Sequence, residues 1–275
     1  CSLANESVGK LFAGGIFPGI LVAILFIIYI GIRCRLRPEM GPALPRGERV
    51  GWRLKLTSLR AVVLPIIIIV AVLGSIYTGI CTVTEAAAAL AAAAFICAFI
   101  HRRMTYQVLR GALEQTLRVT GMVMWIITGA VCFCCVYTGL GASDFVSNLI
   151  LGLELNRWVI FAIMQLIFLV MGMFIDPAGI MMICLPIFLP IVEGLGIDTV
   201  WYGVLFTMNM CMAYCTPPFG FNLFYLKGVS PPEITMGTIY RSIIPFVILY
   251  AIGMVICCFF PNIVMFLPDR MFVIK

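Results

Sequence analysis

Thr216-Pro217-Pro218-Phe219-Gly220 stands inside an apolar run, Val200–Leu226, where an unbroken helix would otherwise be expected. Two successive prolines offer no backbone N–H and clash with the preceding turn, so a helix must break here. Lipid cannot satisfy the carbonyls and amides that a break frees, so the break must be buried in protein or line a polar cavity. The half-helix ending near Cys215 turns carbonyls of partial negative charge toward that cavity. With the Thr216 hydroxyl, that end suits a hard cation such as Na⁺. The half-helix beginning near Phe219 presents amides of partial positive charge, suited to an anion. Asn209 and Asn222 flank the break, and each reads equally as a ligand or as an interhelical hydrogen-bonding group. Interruptions of this kind form ion and substrate sites in carriers, so transport is the expected class of function.

Two acids fall within apolar runs, where ionisable groups are functional candidates by default. Asp176 lies in Gly172-Met-Phe-Ile-Asp-Pro177, between the arms Trp158–Ile175 and Ala178–Val192. Short arms around Asp-Pro read as a hairpin whose tip sits inside the membrane. Asp at N-cap and Pro177 at N1 start the second arm, and a carboxylate at an exposed helix terminus also suits a cation. Na⁺ is therefore expected near Asp176 and Thr216. Glu85, in Thr82-Val-Thr-Glu85, has capping-box spacing and reads as the start of the alanine-rich helix that follows.

These residues need membrane-spanning elements to hold them. The chain has 275 residues, 63% hydrophobic and 11% charged, and a mean hydropathy of +1.13, which excludes a water-soluble globular domain. Candidate spans are Gly14–Ile32, Ala61–Ile80, Glu85–Ile100, Val119–Thr138, Trp158–Ile175, Ala178–Val192, Val200–Leu226 and Ser242–Phe260. The fold class expected is all-α and polytopic. The net charge of +6 follows topology rather than nucleic-acid binding: Lys and Arg gather between Arg33 and Arg60, between Arg102 and Arg118, and at Lys227 and Arg241. These segments are assigned to the cytoplasm. Glu6, Asp144, Glu154, Glu193, Asp198 and Asp269 fall on the opposite side, which sends Gly14–Ile32 inward and leaves the C-terminus outside.

Thr105–Arg118 reads as an amphipathic helix along the inner surface, with Ser143–Leu155 as an outer counterpart. His101 reads as a last-turn cation at a helix end. The 12 cysteines, including Cys132, Cys134 and Cys135, read as small apolar residues without ligand spacing.

Ile16-Phe-Pro-Gly-Ile-Leu21 and Ile243-Ile-Pro-Phe-Val-Ile248 match, with Pro18 and Pro245 in the same place and the two spans running oppositely, as inverted repeats require. Residues 1–32 are then the end of one repeat, 33–60 an irregular cytoplasmic linker with Pro38, Pro42, Pro45 and Gly47, and 61–275 a second repeat. Within it, 61–138 and 242–260 are assigned to a scaffold, and 157–228 to the transport hairpin and broken helix. Starting at Cys1 inside a repeat, the sequence is expected to be a fragment of a larger permease.

Taken in order, several stretches carry a family likeness: Ser7–Gly19, Thr82–Ala89, Gly172–Pro190, Gly196-Ile-Asp198, Thr216–Gly220 and Phe224–Glu233. The chain resembles the large permease subunit (DctM-like) of tripartite ATP-independent periplasmic (TRAP) transporters. The resemblance implies an elevator-type carrier in a bacterial or archaeal inner membrane, importing organic acids such as dicarboxylates by Na⁺ symport. It implies no cofactor beyond Na⁺ as coupling ion, and two partners: a small membrane subunit and an extracytoplasmic solute-binding protein. Gly172, Asp176 and Pro177 would form the second hairpin tip, and Thr216, Pro217, Pro218 and Gly220 the paired break, with Asn209 and Asn222 in the same sodium and substrate region. The family's usual Thr-Pro-Thr-Glu is Thr82-Val-Thr-Glu85 here, and its usual Val after Pro-Pro is Phe219. Its Ser-rich first hairpin and first Pro-Pro motif would lie upstream of Cys1.

Two further carrier or assembly readings remain open: a binding-protein-independent Na⁺/anion symporter of related fold, and a non-transporting membrane assembly subunit. An intramembrane aspartyl protease needs two convergent carboxylates. Glu85 is accounted for as a cap, and no Gly-x-Gly-Asp element follows a span, so an enzyme is not expected.

Overall fold

Apolar side chains at nearly every helical position, with polar residues concentrated at caps, leave this chain helix as its means of satisfying backbone groups in lipid. The computed structural model describes residues 6–40, 51–102, 104–152, 155–218, 220–231 and 233–271. Among them every regular element is helical. In order these are α1 (Val8–Leu36), a 3-10 turn (Pro38–Met40), α2 (Trp52–Tyr77), α3 (Val83–Ile100), α4 (Tyr106–Gly139) and α5 (Ala142–Leu151). There follow α6 (Arg157–Gly172), α7 (Pro177–Gly194), α8 (Thr199–Ala213), α9 (Phe221–Val229), α10 (Met236–Phe259) and α11 (Asn262–Met271). Four of them, α1, α3, α4 and α10, are long and apolar enough to cross a bilayer. Ile27, Phe99 and Trp125 on those helices are 69%, 71% and 79% exposed, a surface suited to lipid rather than water. The chain is a multi-pass α-helical membrane protein.

Residues 30–120 form one compact unit. Within it α2 and α3 are joined by a turn, with Gly79 at φ +72°, and the capping box expected at Thr82 is present. Thr82 N–H donates to Glu85 Oε2 at 2.8 Å and Glu85 N–H to Thr82 Oγ1 at 3.4 Å, so this acid is used within its own turn. His101 stands at the C-cap of α3 with Nδ1 2.9 Å from the Cys97 carbonyl, the helix-end role expected of it.

Residues 1–29 and 121–275 form the other unit. Its contacts fix helix directions. Leu11 meets Gly203, and Gly14 lies so close to α8 that a Cβ would stand 2.9 Å from Val204, so α1 and α8 run parallel. Phe161 contacts Trp201, Phe168 contacts Phe206 at 4.8 Å, and Gly172 meets Ala213, so α6 also runs parallel to α8. Tyr29 and Phe26 contact Phe246, Phe26 contacts Tyr250, and Val22 meets Gly253, an antiparallel ladder between α1 and α10. These relative directions agree with the topology assigned from charge. Edge-on aromatic pairs such as Phe168–Phe206 and Phe168–Phe188 each add about 0.5–1.5 kcal/mol beyond area burial.

The structure differs from expectation in several places. Thr105–Arg118 is not a separate surface helix: α4 runs unbroken for 34 residues, about 51 Å, well beyond the roughly 30 Å hydrocarbon core. Polarity changes along this segment, but no residue in it interrupts helical hydrogen bonding. The linker is less irregular than expected, because α1 continues to Leu36 and α2 begins at Trp52. Arg33 and Arg35 favour that extension by complementing the C-terminal dipole. Pro42, Pro45 and Gly47 lie outside the described residues. The outer counterpart is shorter, α5 ending at Leu151.

The C-terminal α11 was not anticipated; its Val264 and Pro268 are buried, both beside Gly14 of α1. Residues 242–260, assigned from sequence to the scaffold, fall in the same compact unit as the hairpin and broken helix. There Trp201 Nε1 donates to the Cys257 carbonyl at 3.3 Å.

Candidate functional site

Two interruptions meet at one end of the α6–α7–α8 core. The first is the hairpin tip. α6 has 16 residues, about 24 Å, and ends at Gly172, too short to cross the roughly 30 Å core. Met173–Ile175 turn the chain, and the Asp176 carbonyl accepts from Ile180 N–H at 3.0 Å, which puts Asp176 at the N-cap position of α7. Pro177 is the first residue of that helix, where a missing N–H costs nothing.

The second interruption is the broken helix. α8 has 15 residues and ends at Ala213, two residues before the expected Cys215. Tyr214, Cys215 and Thr216 continue as turns, and the Pro217–Pro218 peptide is cis. Thr216 Oγ1 donates to the Met212 carbonyl at 2.8 Å; its proton is spent there and its oxygen keeps acceptor capacity. Gly220 is the N-cap of α9 at φ +22°, and a Cβ there would lie 2.8 Å from Leu223 Cδ1 and 3.2 Å from the Thr216 carbonyl. Only glycine suits both the backbone and the space. Asn222, exposed, donates its N–H to the Tyr214 carbonyl at 3.3 Å and its Nδ2 to Cys215 Sγ at 3.5 Å. Tyr240 of α10 donates to the Pro218 carbonyl at 3.2 Å. Phe219 lies outside the described residues.

The two interruptions are bound to each other. Tyr214 OH donates to Asp176 Oδ1 at 3.0 Å across 38 residues of sequence. Beside that bond a Cβ on Gly172 would lie 2.6 Å from Ala213 Cβ, so glycine is what lets α6 approach α8. Gly172, Asp176, Pro177, Thr216, Pro217, Pro218, Gly220 and Asn222 therefore belong to one locus. Asn209 is placed differently. It is 0% exposed and its Nδ2 donates to both the carbonyl and Oε1 of Gln165 at 2.7 Å, an interhelical clasp between α8 and α6. Asn209 Oδ1 and Gln165 Nε2 find no partner among the described residues.

The arrangement brings the C-terminal ends of α6 and α8 beside the N-terminal ends of α7 and α9. Helix C-termini carry partial negative charge and N-termini partial positive charge. One locus thus offers oxygen dipoles, a carboxylate and a hydroxyl to a cation, and amide dipoles to an anion. Among the described residues no three of His, Cys, Asp and Glu cluster as metal ligands.

Against known families, residues 1–263 match the model described as "Tripartite ATP-independent periplasmic transporter, DctM component". The chain belongs to this family. It is 32% identical over 266 residues to the C4-dicarboxylate TRAP transporter large permease protein DctM of Pseudomonas aeruginosa, covering 96% of this chain and 61% of that protein. The corresponding protein of Rhodobacter capsulatus is 31% identical over 268 residues, covering 97% and 59%. The sialic acid TRAP transporter large permease protein SiaM of Vibrio cholerae is 27% identical over 268 residues, covering 97% and 61%. The chain spans about three-fifths of the length of these curated relatives. All three are named as transporter permeases, a non-enzymatic class.

Tyr214 of this locus and Gln165 of the α6–α8 clasp are the residues that sequence reasoning missed. Gln165 left a readable signal, a lone amide in the apolar run Trp158–Ile175. Tyr214 left none, because a tyrosine among Met and Cys reads as packing.

Proposed function

We propose that this chain carries the second transport half-site of a TRAP large permease, importing an organic acid by symport with Na⁺. The observation that carries this reading is the joining of the hairpin tip to the helix break through Tyr214 and Asp176, with Gly172 set against Ala213. Asp176, the Thr216 oxygen and the carbonyl ends of α6 and α8 hold Na⁺, which orders both interruptions. The amide ends of α7 and α9 then receive the carboxylate of the substrate. Relatives named for C4-dicarboxylates and for sialic acid support an organic acid as the substrate class.

The partners are a small membrane subunit and an extracytoplasmic solute-binding protein, in a bacterial or archaeal inner membrane. Residues 1–32 end one inverted repeat, 33–60 link, and 61–275 form the other. The antiparallel α1 and α10, with Pro18 and Pro245 near corresponding positions, support the repeat. Transport is by elevator motion of the hairpin and broken helix. Helices within 61–138 and 242–260 form the scaffold.

Uptake into proteoliposomes holding the complete permease with both partners tests this. Uptake of an organic acid that needs both a Na⁺ gradient and the binding protein is expected. Uptake on Na⁺ alone points to an independent symporter, and no uptake with co-purification intact points to an assembly subunit.

A further inference from the structure

Tyr214 bonds in three directions. Its N–H closes the last turn of α8 on the Met210 carbonyl at 3.0 Å, its carbonyl accepts from Asn222 N–H in the first turn of α9 at 3.3 Å, and its phenol donates to Asp176 at 3.0 Å. One residue thus ties the end of one half-helix, the start of the next and the hairpin tip. The close approach of Gly172 to Ala213 keeps the tip and α8 in fixed register beside it.

We infer that Tyr214 is the positioning residue for cation capture, holding the Asp176 carboxylate against the end of α8 so that the tip and the break order together. The inference rests on the Na⁺ reading above. A carboxylate at a hairpin tip has several rotamers, and a charge-assisted bond from a residue anchored at both its backbone ends selects one. Without that bond the carboxylate is no longer held against the end of α8, and the cost of ordering it is subtracted from the cation's affinity. The phenol acts through Asp176, its proton committed to the carboxylate. A tyrosine serving packing alone would lower stability without a signature in the ion dependence.

The test uses the complete permease reconstituted with its two partners, following uptake against Na⁺ concentration for wild type, Tyr214→Phe, Asp176→Ala and the double variant. Tyr214→Phe is expected to raise the Na⁺ concentration for half-maximal uptake about tenfold, the size of a lost hydrogen bond to a charged group. The maximal rate at saturating Na⁺ and the substrate KM there stay within about twofold. Added to Asp176→Ala, the same change shifts nothing further, because no acceptor is left for the phenol. Melting of the purified variants in Na⁺-free buffer guards against a folding defect: a non-additive cycle among them shows the link itself, and an additive one overturns it. A flat Tyr214→Phe response beside Na⁺-dependent wild type sinks this inference alone. Wild-type uptake indifferent to Na⁺ sinks the Na⁺ reading and this inference with it.

Discussion

Glu85 and Asp176 are both acids in apolar surroundings, each beside a helix start, yet the molecule uses them in opposite ways. At the turn between α2 and α3, Glu85 accepts from the backbone and hydroxyl of Thr82, three residues away, and the turn is complete in itself. At the hairpin tip, Asp176 accepts from Tyr214, 38 residues away on another interrupted helix. The first arrangement stabilises one helix terminus. The second makes the position of one element depend on another. An acid satisfied locally is a cap, whereas an acid satisfied across elements can report a change at one interruption to the other.

The contrast is sharpest where space is tightest. Gly172→Leu at the tip is expected to abolish uptake, since even a Cβ meets Ala213 and the overpacking costs about 1–3 kcal/mol or more. Gly74→Ala in α2, with nothing within 4 Å of its Cβ, is expected to leave uptake intact and raise stability slightly. Uptake assays and melting of both variants decide this; a transporting Gly172→Leu would break the comparison.

The next largest effect falls on the two acids. Asp176→Asn is expected to shift the Na⁺ concentration for half-maximal uptake at least about tenfold, as loss of a charged hydrogen-bonded group implies. Glu85→Gln, which keeps a capping-box acceptor, is expected to leave the Na⁺ dependence unchanged. Equal shifts in the two variants would erase the distinction between cap and coupling.

Gln165 and Asn209 sharpen the same point inside the core. Either Gln165→Leu or Asn209→Leu strands a buried amide and is expected to cost about 1–3 kcal/mol. The double variant should lose less than the sum, as melting of the set would show. The smallest effect is Thr82→Ala, a lost cap of about 1 kcal/mol with no change in Na⁺ dependence. An altered Na⁺ response in that variant would mean the α2–α3 turn is not self-contained.

These differences explain what could be read from sequence. The break at Pro217–Pro218 and the helix start at Asp176-Pro177 were legible because proline's missing donor is local chemistry. So were the relative directions of α1, α6, α8 and α10, and the capping box at Thr82. The continuity of α4 through Thr105–Arg118 was not legible, since polarity suggested a boundary where helical bonding has none. The burial of Val264 and Pro268 was not legible either, because it depends on Gly14, some 250 positions earlier in the chain. The clasp of Asn209 on Gln165 and the bond from Tyr214 to Asp176 are properties of packing between elements, so neither has a local spacing to betray it.

Hydrogen–deuterium exchange of the purified permease with increasing Na⁺, against K⁺ as control, tests the central claim most directly. The account predicts that Na⁺ protects Gly172–Pro177 and Tyr214–Pro218 together, with the same half-saturation, while Thr78–Glu85 is unaffected. Protection of one segment without the other, or of neither, would contradict it.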